Sequence, residues 1–169
     1  MSISLPKDCP VRRAVSLLVL IVAFAVGPLA LVAPAAQAAP ARWSAAERAS
    51  AESDAAAYLV RRINAVRADR GLAPLRVRAD LSRHARAHSV AMARGRTLFH
   101  TADFAVICCW SSIAENVAYN RTARGAHRSL MASPPHRANI LDGSKRAVGV
   151  GVVRSGGVFW VTQVFRRPR

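Results

Sequence analysis

The sequence predicts an α+β domain in which helices pack on a small, mainly antiparallel sheet. The first part of the domain carries apolar stripes with the 3.6-residue spacing of helices. The end of the chain instead alternates apolar and small residues, as a β-hairpin does. Neither an internal repeat nor a long linker divides the chain, so we expect one domain over residues 55–169, after a lead-in over residues 39–54.

Residues 1–38 have the order of a secretory signal peptide. Basic residues precede an apolar run from Ala14 to Val32, and a small-residue cleavage motif ends at Ala38. The run is longer than the usual signal core of ~7–15 residues, so an N-terminal membrane anchor is the alternative, although Gly27 and Pro28 interrupt the run. Under either interpretation the domain is expected to work outside the cytoplasm, and cleavage predicts a secreted protein.

The composition is strongly basic, with 25 basic against 9 acidic residues in 169. Without residues 1–38 the chain keeps 22 basic and 8 acidic residues, a net charge of +14. Such a charge attracts anionic polymers of the cell envelope, anionic lipid or nucleic acid. The arginines are spread along the chain, and no aromatic-rich basic stretch offers a platform for stacked bases. Nucleic acid is therefore not the expected partner.

Two long helices are predicted first. Ser44 and Glu47 match a capping box, and Gly71 is placed to end the helix that they open. Asp80 is the predicted cap of the second helix, which Gly95 would end. The inward stripes consist of Ala56, Leu59, Val60, Ile63 and Val66 in the first helix, and of Leu81, Ala85, His88 and Met92 in the second.

The segment over residues 97–122 lacks a sustained period, and it is predicted to be a structured loop with a helical turn around Ala114 to Ala118. A third helix is predicted over Arg124 to Ala132. The motif "SPPHRANIL" predicts a further helix start, with Ser133 as cap and proline in the first turn.

The end of the chain predicts a β-hairpin. Valines alternate with Gly149 and Gly151, which gives one apolar face and one bare face. The sequence Ser155-Gly156-Gly157 predicts the turn, and Val158 to Phe165 predicts the returning strand. Bare glycines on a strand allow another layer to approach closely.

The two cysteines beyond the predicted signal peptide, Cys108 and Cys109, are neighbours in the chain. Their Cα atoms lie ~3.8 Å apart across a trans peptide, which is shorter than the usual disulfide separation of ~4.4–6.8 Å. A strained vicinal disulfide, two buried small hydrophobes, and pairing with another chain are the alternatives. No CxxC array indicates a metal site.

Histidines and one carboxylate are the candidates for chemistry. His84 and His88 share an i, i+4 spacing but lack the glutamate of HExxH, and His88 lies on an apolar stripe, so a satisfied core histidine is favoured. Glu115 lies in an apolar run, and His136 follows a helix start whose dipole favours neutral imidazole. Spacing alone does not show that His100, Glu115 and His136 converge.

Taken in order, several motifs resemble the CAP superfamily, which includes cysteine-rich secretory proteins, venom antigens and plant pathogenesis-related proteins. The chain looks like the shorter bacterial SCP-like branch, and the resemblance covers about residues 56–166. The motifs that carry it are "LVRRINAVRADRGLAPL", "LSRHARAHSVAMA", "LFH", "IAENVA", "SPPHRANIL", "VGVGV" and "FWVTQVF".

The resemblance implies a three-layer α-β-α sandwich and a cleft formed by His100, Glu115 and His136. Ala114 stands where the family motif has glycine, which implies a different turn before Glu115. The second glutamate of eukaryotic members has no counterpart in residues 130–133, so Ser133 is the remaining candidate for that part of the cleft.

The favoured functional hypothesis is a secreted, non-enzymatic domain that binds zinc, another divalent cation or a small ligand in this cleft. Two histidines and one carboxylate, His100, Glu115 and His136, form a plausible zinc set with an open fourth position. A hydrogen-bonded cluster that only rigidifies the cleft is the structural alternative. A hydrolase of peptides or cell-wall material, zinc-assisted or using His136 with Ser133, is the second hypothesis, and a lipid- or sterol-binding protein is the third.

Overall fold

The structure is a computed structural model that describes residues 43–169. The predicted signal peptide and its alternative, the membrane anchor, lie outside these residues. Within residues 43–169 no helix has the length and apolar character needed to cross a bilayer. The elements are α1 (Ala45–Ala68), β1 (Arg76–Val77), α2 (Ala79–Gly95), β2 (Trp110–Asn120), α3 (Ala123–Ala132), α4 (Pro134–Leu141), β3 (Ala147–Ser155) and β4 (Val158–Pro168).

The four strands form one sheet in the order β1-β3-β4-β2. The short β1 pairs with β3 in parallel, whereas β3 with β4 and β4 with β2 are antiparallel. The predicted hairpin is confirmed: β3 and β4 pair along their lengths, and Gly156 and Gly157 take positive φ angles of 61° and 77° in the turn between them. These angles suit glycine because it has no Cβ.

Helices α1, α3 and α4 cover one face of the sheet. Their apolar stripes share one core with the valines of β3 and with Phe165 of β4. The predicted stripe of α1 is confirmed, since Leu59 and Ile63 are fully buried. The buried helical members of this core are Ala55, Leu59, Ile63, Val66, Ala126, Leu130 and Ile140.

Helix α2 covers the opposite face, which completes the three-layer α-β-α sandwich. The predicted bare face of β3 explains how closely α2 packs on the sheet. A Cβ atom on Gly149 would stand 2.2 Å from the backbone of Leu81, and one on Gly151 would stand 2.2 Å from the backbone of Ala85. Two further apolar clusters join α2 to the sheet, one through Leu81 and one through Met92. The fold class predicted from the sequence is therefore confirmed.

The ends of the first two helices differ in how well the sequence predicts them. The capping box is confirmed, since the Ser44 hydroxyl accepts from Glu47 N at 3.1 Å and Ser44 N donates to the Glu47 carboxylate at 2.7 Å. The prediction that Asp80 caps α2 is wrong. Arg78 occupies that position, and the Asp80 carboxylate instead accepts from the Arg166 guanidinium at 2.6 Å.

The prediction of a structured loop with a helical turn over residues 97–122 is wrong for the second half of that segment. Residues Trp110–Asn120 form β2, an edge strand that pairs with β4 from Ser112 to Asn120. Ala114 therefore lies in regular strand, opposite Phe165, and the expected turn before Glu115 does not exist.

The cysteine pair precedes β2. Cys108 and Cys109 are both exposed, so the alternative of two buried hydrophobes is wrong. Their Sγ atoms are 2.6 Å apart without a disulfide, and Cys109 has a positive φ of 62°.

A buried arginine fixes the end of α4. Arg67 of α1 is 0% exposed, and its guanidinium donates to the carbonyl oxygens of Ile140 at 2.8 Å and of Asp142 at 2.9 Å. Its Nε donates to Ala73 O at 3.0 Å. Burial lowers the pKa of Arg67, although an arginine keeps its charge at neutral pH. These bonds hold α4 against α1 and so position the side chains that α4 contributes to the cleft.

Candidate functional site

The edge strand β2 supplies the centre of the cleft. Successive residues of a strand point to opposite faces, so Glu115 lies on the side of α2 and Asn116 on the side of α4. The other two predicted residues come from segments on either side of this edge. His100 follows the end of α2, and His136 lies in the first turn of α4.

The Glu115 carboxylate is buried and hydrogen-bonded at both oxygens. Its side chain is 3% exposed. Oε1 accepts from His100 Nδ1 at 2.9 Å and from Thr101 N at 2.9 Å, and Oε2 accepts from the Thr101 hydroxyl at 2.6 Å. Because a buried charge is costly unless it is paired or hydrogen-bonded, these three donors explain how an acid can lie among apolar neighbours.

Two histidines of α2 lie behind this carboxylate. His84 Nε2 donates to the Thr101 hydroxyl at 3.3 Å, since that hydroxyl already donates its proton to Glu115. His88 Nε2 donates to Phe99 O at 2.8 Å and stands 3.9 Å from Glu115 Oε1. The favoured interpretation of His88 as a satisfied core histidine is confirmed, because it is 9% exposed and hydrogen-bonded.

Helix α4 is held against β2 by amide side chains. Asn116 Nδ2 donates to His136 O at 3.0 Å, and Asn139 Nδ2 donates to Asn116 Oδ1 at 2.9 Å. Ser133 is the N-cap residue as predicted, but its hydroxyl bonds His136 Nδ1 at 2.9 Å instead of a backbone amide. The hydroxyl thus fixes the orientation of the His136 ring.

The structure brings the predicted cleft residues together. The rings of His100 and His136 lie next to each other, with centroids 6.5 Å apart and planes inclined by 32°. The His100 side chain is 58% exposed and the His136 residue is half-buried. Both histidines are therefore accessible to solvent, whereas the Glu115 side chain is not. Each ring has Nδ1 engaged, by Glu115 in one case and by Ser133 in the other.

The donor atoms fit a metal held by histidine better than one held by the carboxylate. Glu115 has both oxygens occupied by internal donors, and within residues 43–169 no three His, Cys, Asp or Glu side chains stand together as a metal-binding group. The three-ligand set of His100, Glu115 and His136 stays a prediction. Histidine ligands in metal sites commonly donate the other ring N–H to a carboxylate, as His100 does to Glu115.

Burial favours the neutral form of two histidines at the site. It lowers the pKa of His136, and the nearby His100 lowers it further. Burial also lowers the pKa of His84, against an opposing effect of the Glu115 charge. Neutral imidazole is the form that binds a metal or accepts a proton, so His136 is in the competent form at neutral pH.

Sequence reasoning missed three residues of the site: Thr101, Asn116 and Asn139. Each lies next to or within a motif that carries the family resemblance, in "LFHT", "AEN" and "HRANIL". Small polar residues are common in loops and caps, so nothing in their type distinguished them. The signal that could have found them is the burial of Glu115, because a buried carboxylate requires donors close by.

Comparisons with known proteins give a family and a fold. The model of the CAP family, described as the cysteine-rich secretory protein family, matches residues 60–165. That range includes every residue of the cleft. A search of curated protein sequences gives no match.

Three bacterial proteins are among the solved structures that share the fold. An extracellular protein containing an SCP domain from Bacillus anthracis has a TM-score of 0.68 at 20% identity, covering 75% of this chain and 45% of that chain. An outer surface protein from Borrelia burgdorferi has a TM-score of 0.62 at 14% identity, with 69% and 94% covered. A cysteine-rich secretory protein from Staphylococcus aureus has a TM-score of 0.51 at 20% identity, with 69% and 39% covered. This chain thus spans less than half the length of the first and third proteins, and at these identities the likeness concerns the fold alone.

Proposed function

The chain belongs to the CAP family of cysteine-rich secretory proteins, and from that premise we propose that it is a secreted, non-enzymatic domain whose cleft binds a divalent cation. The ligands proposed are Nε2 of His100 and Nε2 of His136. Zinc accepts imidazole nitrogen, and water or a bound small molecule would complete its four ligands. One observation carries the proposal: the two rings are 6.5 Å apart at their centroids, and each is oriented by a hydrogen bond at Nδ1.

Glu115 has a positioning role in this proposal. Its carboxylate accepts the His100 Nδ1 proton, which selects the tautomer with a lone pair at Nε2 and raises the basicity of that nitrogen. Thr101 holds the carboxylate in place through two bonds. The cation would polarise a bound ligand or water, while the protein supplies orientation through these contacts.

The test is titration of the metal-free protein with zinc and with copper by calorimetry. Wild type is expected to bind one ion, and His100→Ala/His136→Ala is expected to lose that binding. Glu115→Gln is expected to weaken it about 10–100-fold, as loss of a carboxylate behind a histidine ligand does. His127→Gln serves as control, because His127 lies on α3 and lines a different pocket, with Tyr58 and Arg62. Equal binding by wild type and the double histidine variant would contradict the proposal.

A hydrolase is the second candidate, and one contact favours it. The Ser133 hydroxyl lies 2.9 Å from His136 Nδ1, within the distance at which a histidine base activates a nucleophile. The carboxylate that would orient such a base is bonded to His100 instead. Turnover of peptides or cell-wall fragments that disappears in both Ser133→Ala and His136→Ala, and persists after metal removal, would establish this activity.

Lipid binding is the third candidate, and an apolar groove supports it. A cavity of about 480 Å³ beside α1 has an apolar part formed by Ala56, Ala57, Val60, Val77 and Val150, and a polar part formed by Ser53, Arg61 and Ser82. Lipid that co-purifies with wild type, and is lost when Ala57→Glu places a charge in the groove, would support it. Protein that carries no extractable lipid would argue against it.

The basic surface suggests an anionic partner. We propose that polymers of the cell envelope attract the protein through its net charge, with lipid as the alternative. Attraction between exposed charges is screened within ~8 Å at physiological ionic strength, so binding to a polyanion should weaken steeply as salt increases. Sedimentation with purified envelope polymer at low and high salt measures this. Salt-independent sedimentation would contradict an electrostatic partner.

A further inference from the structure

A second cavity lies where β1, the start of α2 and the end of β4 meet. It has a volume of about 750 Å³ and shares no lining residue with the His100, Glu115 and His136 cleft. Its size lies within the ~300–1,000 Å³ that ligand pockets usually have. The cysteine pair, Cys108 and Cys109, forms part of its wall.

Four arginines and a single acid line this cavity. Asp80 is the acid, and its carboxylate is already bound to the Arg166 guanidinium at 2.6 Å, with Arg78 4.0 Å away. Burial raises the pKa of Asp80, but the hydrogen bond and charge of Arg166 more than offset this and lower it. Asp80 is therefore ionised at neutral pH. The lining keeps an excess of three positive charges, from Arg76, Arg78, Arg146 and Arg166 against Asp80.

Two of these arginines have no acidic partner in the described part of the chain. Arg76 on β1 pairs with Ala147, the residue that follows Arg146. Arg76 N donates to Arg146 O at 3.0 Å. The Arg146 guanidinium donates to Lys145 O at 2.9 Å, which orders it. Both side chains line the cavity and are exposed, and the two backbone bonds of Arg146 use only Nη1, so each guanidinium keeps donors that can bind an anion.

Arg166 makes this a built site and not only a basic patch. It is 7% exposed, and its Nη1 donates to Asp80 and to Cys108 O. Its Nε is buried and has no hydrogen-bond partner among residues 43–169. A buried guanidinium with an unpaired donor is a costly feature, and an anion in the cavity that Arg166 lines would stabilise its charge.

The rest of the lining is apolar. It consists of Ala73, Pro74, Leu75, Ala147 and Pro168. Leu75 and Ala147 are buried and belong to the core, so this part of the wall is rigid. A ligand of the cavity would therefore combine an anionic group with an apolar body.

We propose that this cavity binds a phosphate monoester, with its phosphate among Arg76, Arg146 and Arg166 and its organic body against Leu75 and Pro74. A phosphate monoester carries up to two charges and three terminal oxygens, which match several guanidinium groups, whereas a carboxylate is satisfied by one. A free small molecule and the head group of a lipid share this chemistry.

Calorimetry with phenyl phosphate is the first test. Arg76→Ala/Arg146→Ala is expected to weaken binding about tenfold or more, because charge-assisted hydrogen bonds to both arginines are lost. Arg94→Ala/Arg121→Ala removes the same charge at exposed positions outside the cavity and should bind like wild type. Equal binding by the cavity variant, or equal loss in the control, overturns the proposal. Arg76→Ala alone keeps the test decisive if the double variant does not fold.

The cysteines give an independent readout of where the ligand lies. Cys108 and Cys109 are exposed in the cavity wall, so phenyl phosphate should slow their alkylation by iodoacetamide. Unchanged alkylation at saturating phenyl phosphate would show that the ligand binds elsewhere and would overturn the proposal. Inorganic phosphate is expected to bind more weakly than phenyl phosphate, and equal affinity would overturn the role of the apolar wall.

Vesicles distinguish the two sources of the phosphate. Phosphatidylcholine vesicles that contain phosphatidic acid should recruit wild type but not Arg76→Ala/Arg146→Ala if the ligand is a lipid head group. Binding of phenyl phosphate without recruitment assigns a free phosphate monoester. Recruitment that Arg94→Ala/Arg121→Ala loses equally would reflect overall charge and would overturn a lipid ligand at this site.

Discussion

Glu115 depends on one neighbour more than on any other. Thr101 supplies two of its three hydrogen bonds, one from the backbone and one from the hydroxyl at 2.6 Å. The hydroxyl also accepts from His84, so a single oxygen links the carboxylate to α2. The cleft is therefore organised by a residue that belongs to neither of the histidine motifs.

We predict that Thr101→Val destabilises the protein by about 1–3 kcal/mol, because the change leaves a buried carboxylate oxygen without its donor. Urea unfolding at pH 7 measures the change in free energy. Thr97→Val is the matched control, since Thr97 is exposed and makes only a backbone hydrogen bond, and it should alter stability by less than about 0.5 kcal/mol. Equal effects of the two variants would refute this role of the Thr101 hydroxyl.

The cysteine pair is also best understood at the level of its atoms. A hydrogen bond and charge from Cys109 raise the pKa of the Cys108 thiol, so Cys108 is expected to be a thiol at neutral pH. Their separation of 2.6 Å places one thiol where it can attack a disulfide formed at the other.

We predict that oxidised glutathione converts Cys108 and Cys109 into an intramolecular disulfide. One thiolate attacks glutathione disulfide and releases one glutathione, and the second thiolate then attacks the mixed disulfide and releases the other. Intact mass should show the loss of two hydrogens with no attached glutathione, whereas Cys109→Ser should retain one glutathione. A wild-type protein that accumulates the mixed disulfide or a covalent dimer would disprove the prediction.

At the scale of elements, the sequence predicted most helices and the hairpin because their patterns are regular. Strand β2 was missed for a physical reason. It is an edge strand that carries Ser111, Ser112, Glu115 and Asn116, so the polar residues that the cleft requires interrupt the alternation by which a strand is recognised. The sequence predicts Asp80 as a cap for a related reason: its partner Arg166 is 86 residues away, and local capping rules do not include so distant a partner.

The close contact of α2 with β3 makes a prediction about glycine. Gly151→Ala should destabilise the protein by about 1–3 kcal/mol or more, because its Cβ would stand 2.2 Å from backbone atoms of Ala85 and Arg86. Gly95→Ala is the control: its Cβ would meet only Thr97 Cγ2 at 3.7 Å, and alanine is a better helix residue by about 0.5–1 kcal/mol. Thermal and urea unfolding measure both. A Gly151→Ala protein as stable as Gly95→Ala would contradict the packing described.

At the scale of the whole molecule, the spacing of residues along the chain could not predict that the cleft residues come together. His100, Glu115 and His136 come from a loop, a strand and a helix, and only the strand order, with β2 at the edge, brings them together. The family resemblance predicted this arrangement, because it contains the topology that local patterns lack. No motif or resemblance predicted the cavity near Arg166, because it depends on the pairing of β1 with β3.

Stability should depend on pH through three histidines. Burial lowers the pKa of His84, His127 and His136 below the ordinary 6.5. The unfolded chain then binds protons before the folded protein does as pH decreases, so the free energy of unfolding is fully retained above pH ~6.5 and falls below it.

We predict that His127→Gln flattens this dependence, because His127 is 5% exposed and its Nδ1 has no partner among residues 43–169. Urea unfolding from pH 7.5 to 5 should show the variant gaining stability relative to wild type as pH decreases. A stability difference that stays constant over this range would exclude a contribution from His127 titration.

The hydrogen bonds from α4 have one more consequence, which concerns self-association. An edge strand of 11 residues is a template on which another chain can add a strand. The opposite edge of the sheet offers little backbone for such pairing, because β1 has only two residues. The β2 edge is instead guarded by α4, whose Asn139 Nδ2 lies 3.4 Å from Glu115 O. A variant that loosens α4 would therefore uncover a strand ready for pairing, and the first sign of damage to the cleft would be aggregation of folded protein.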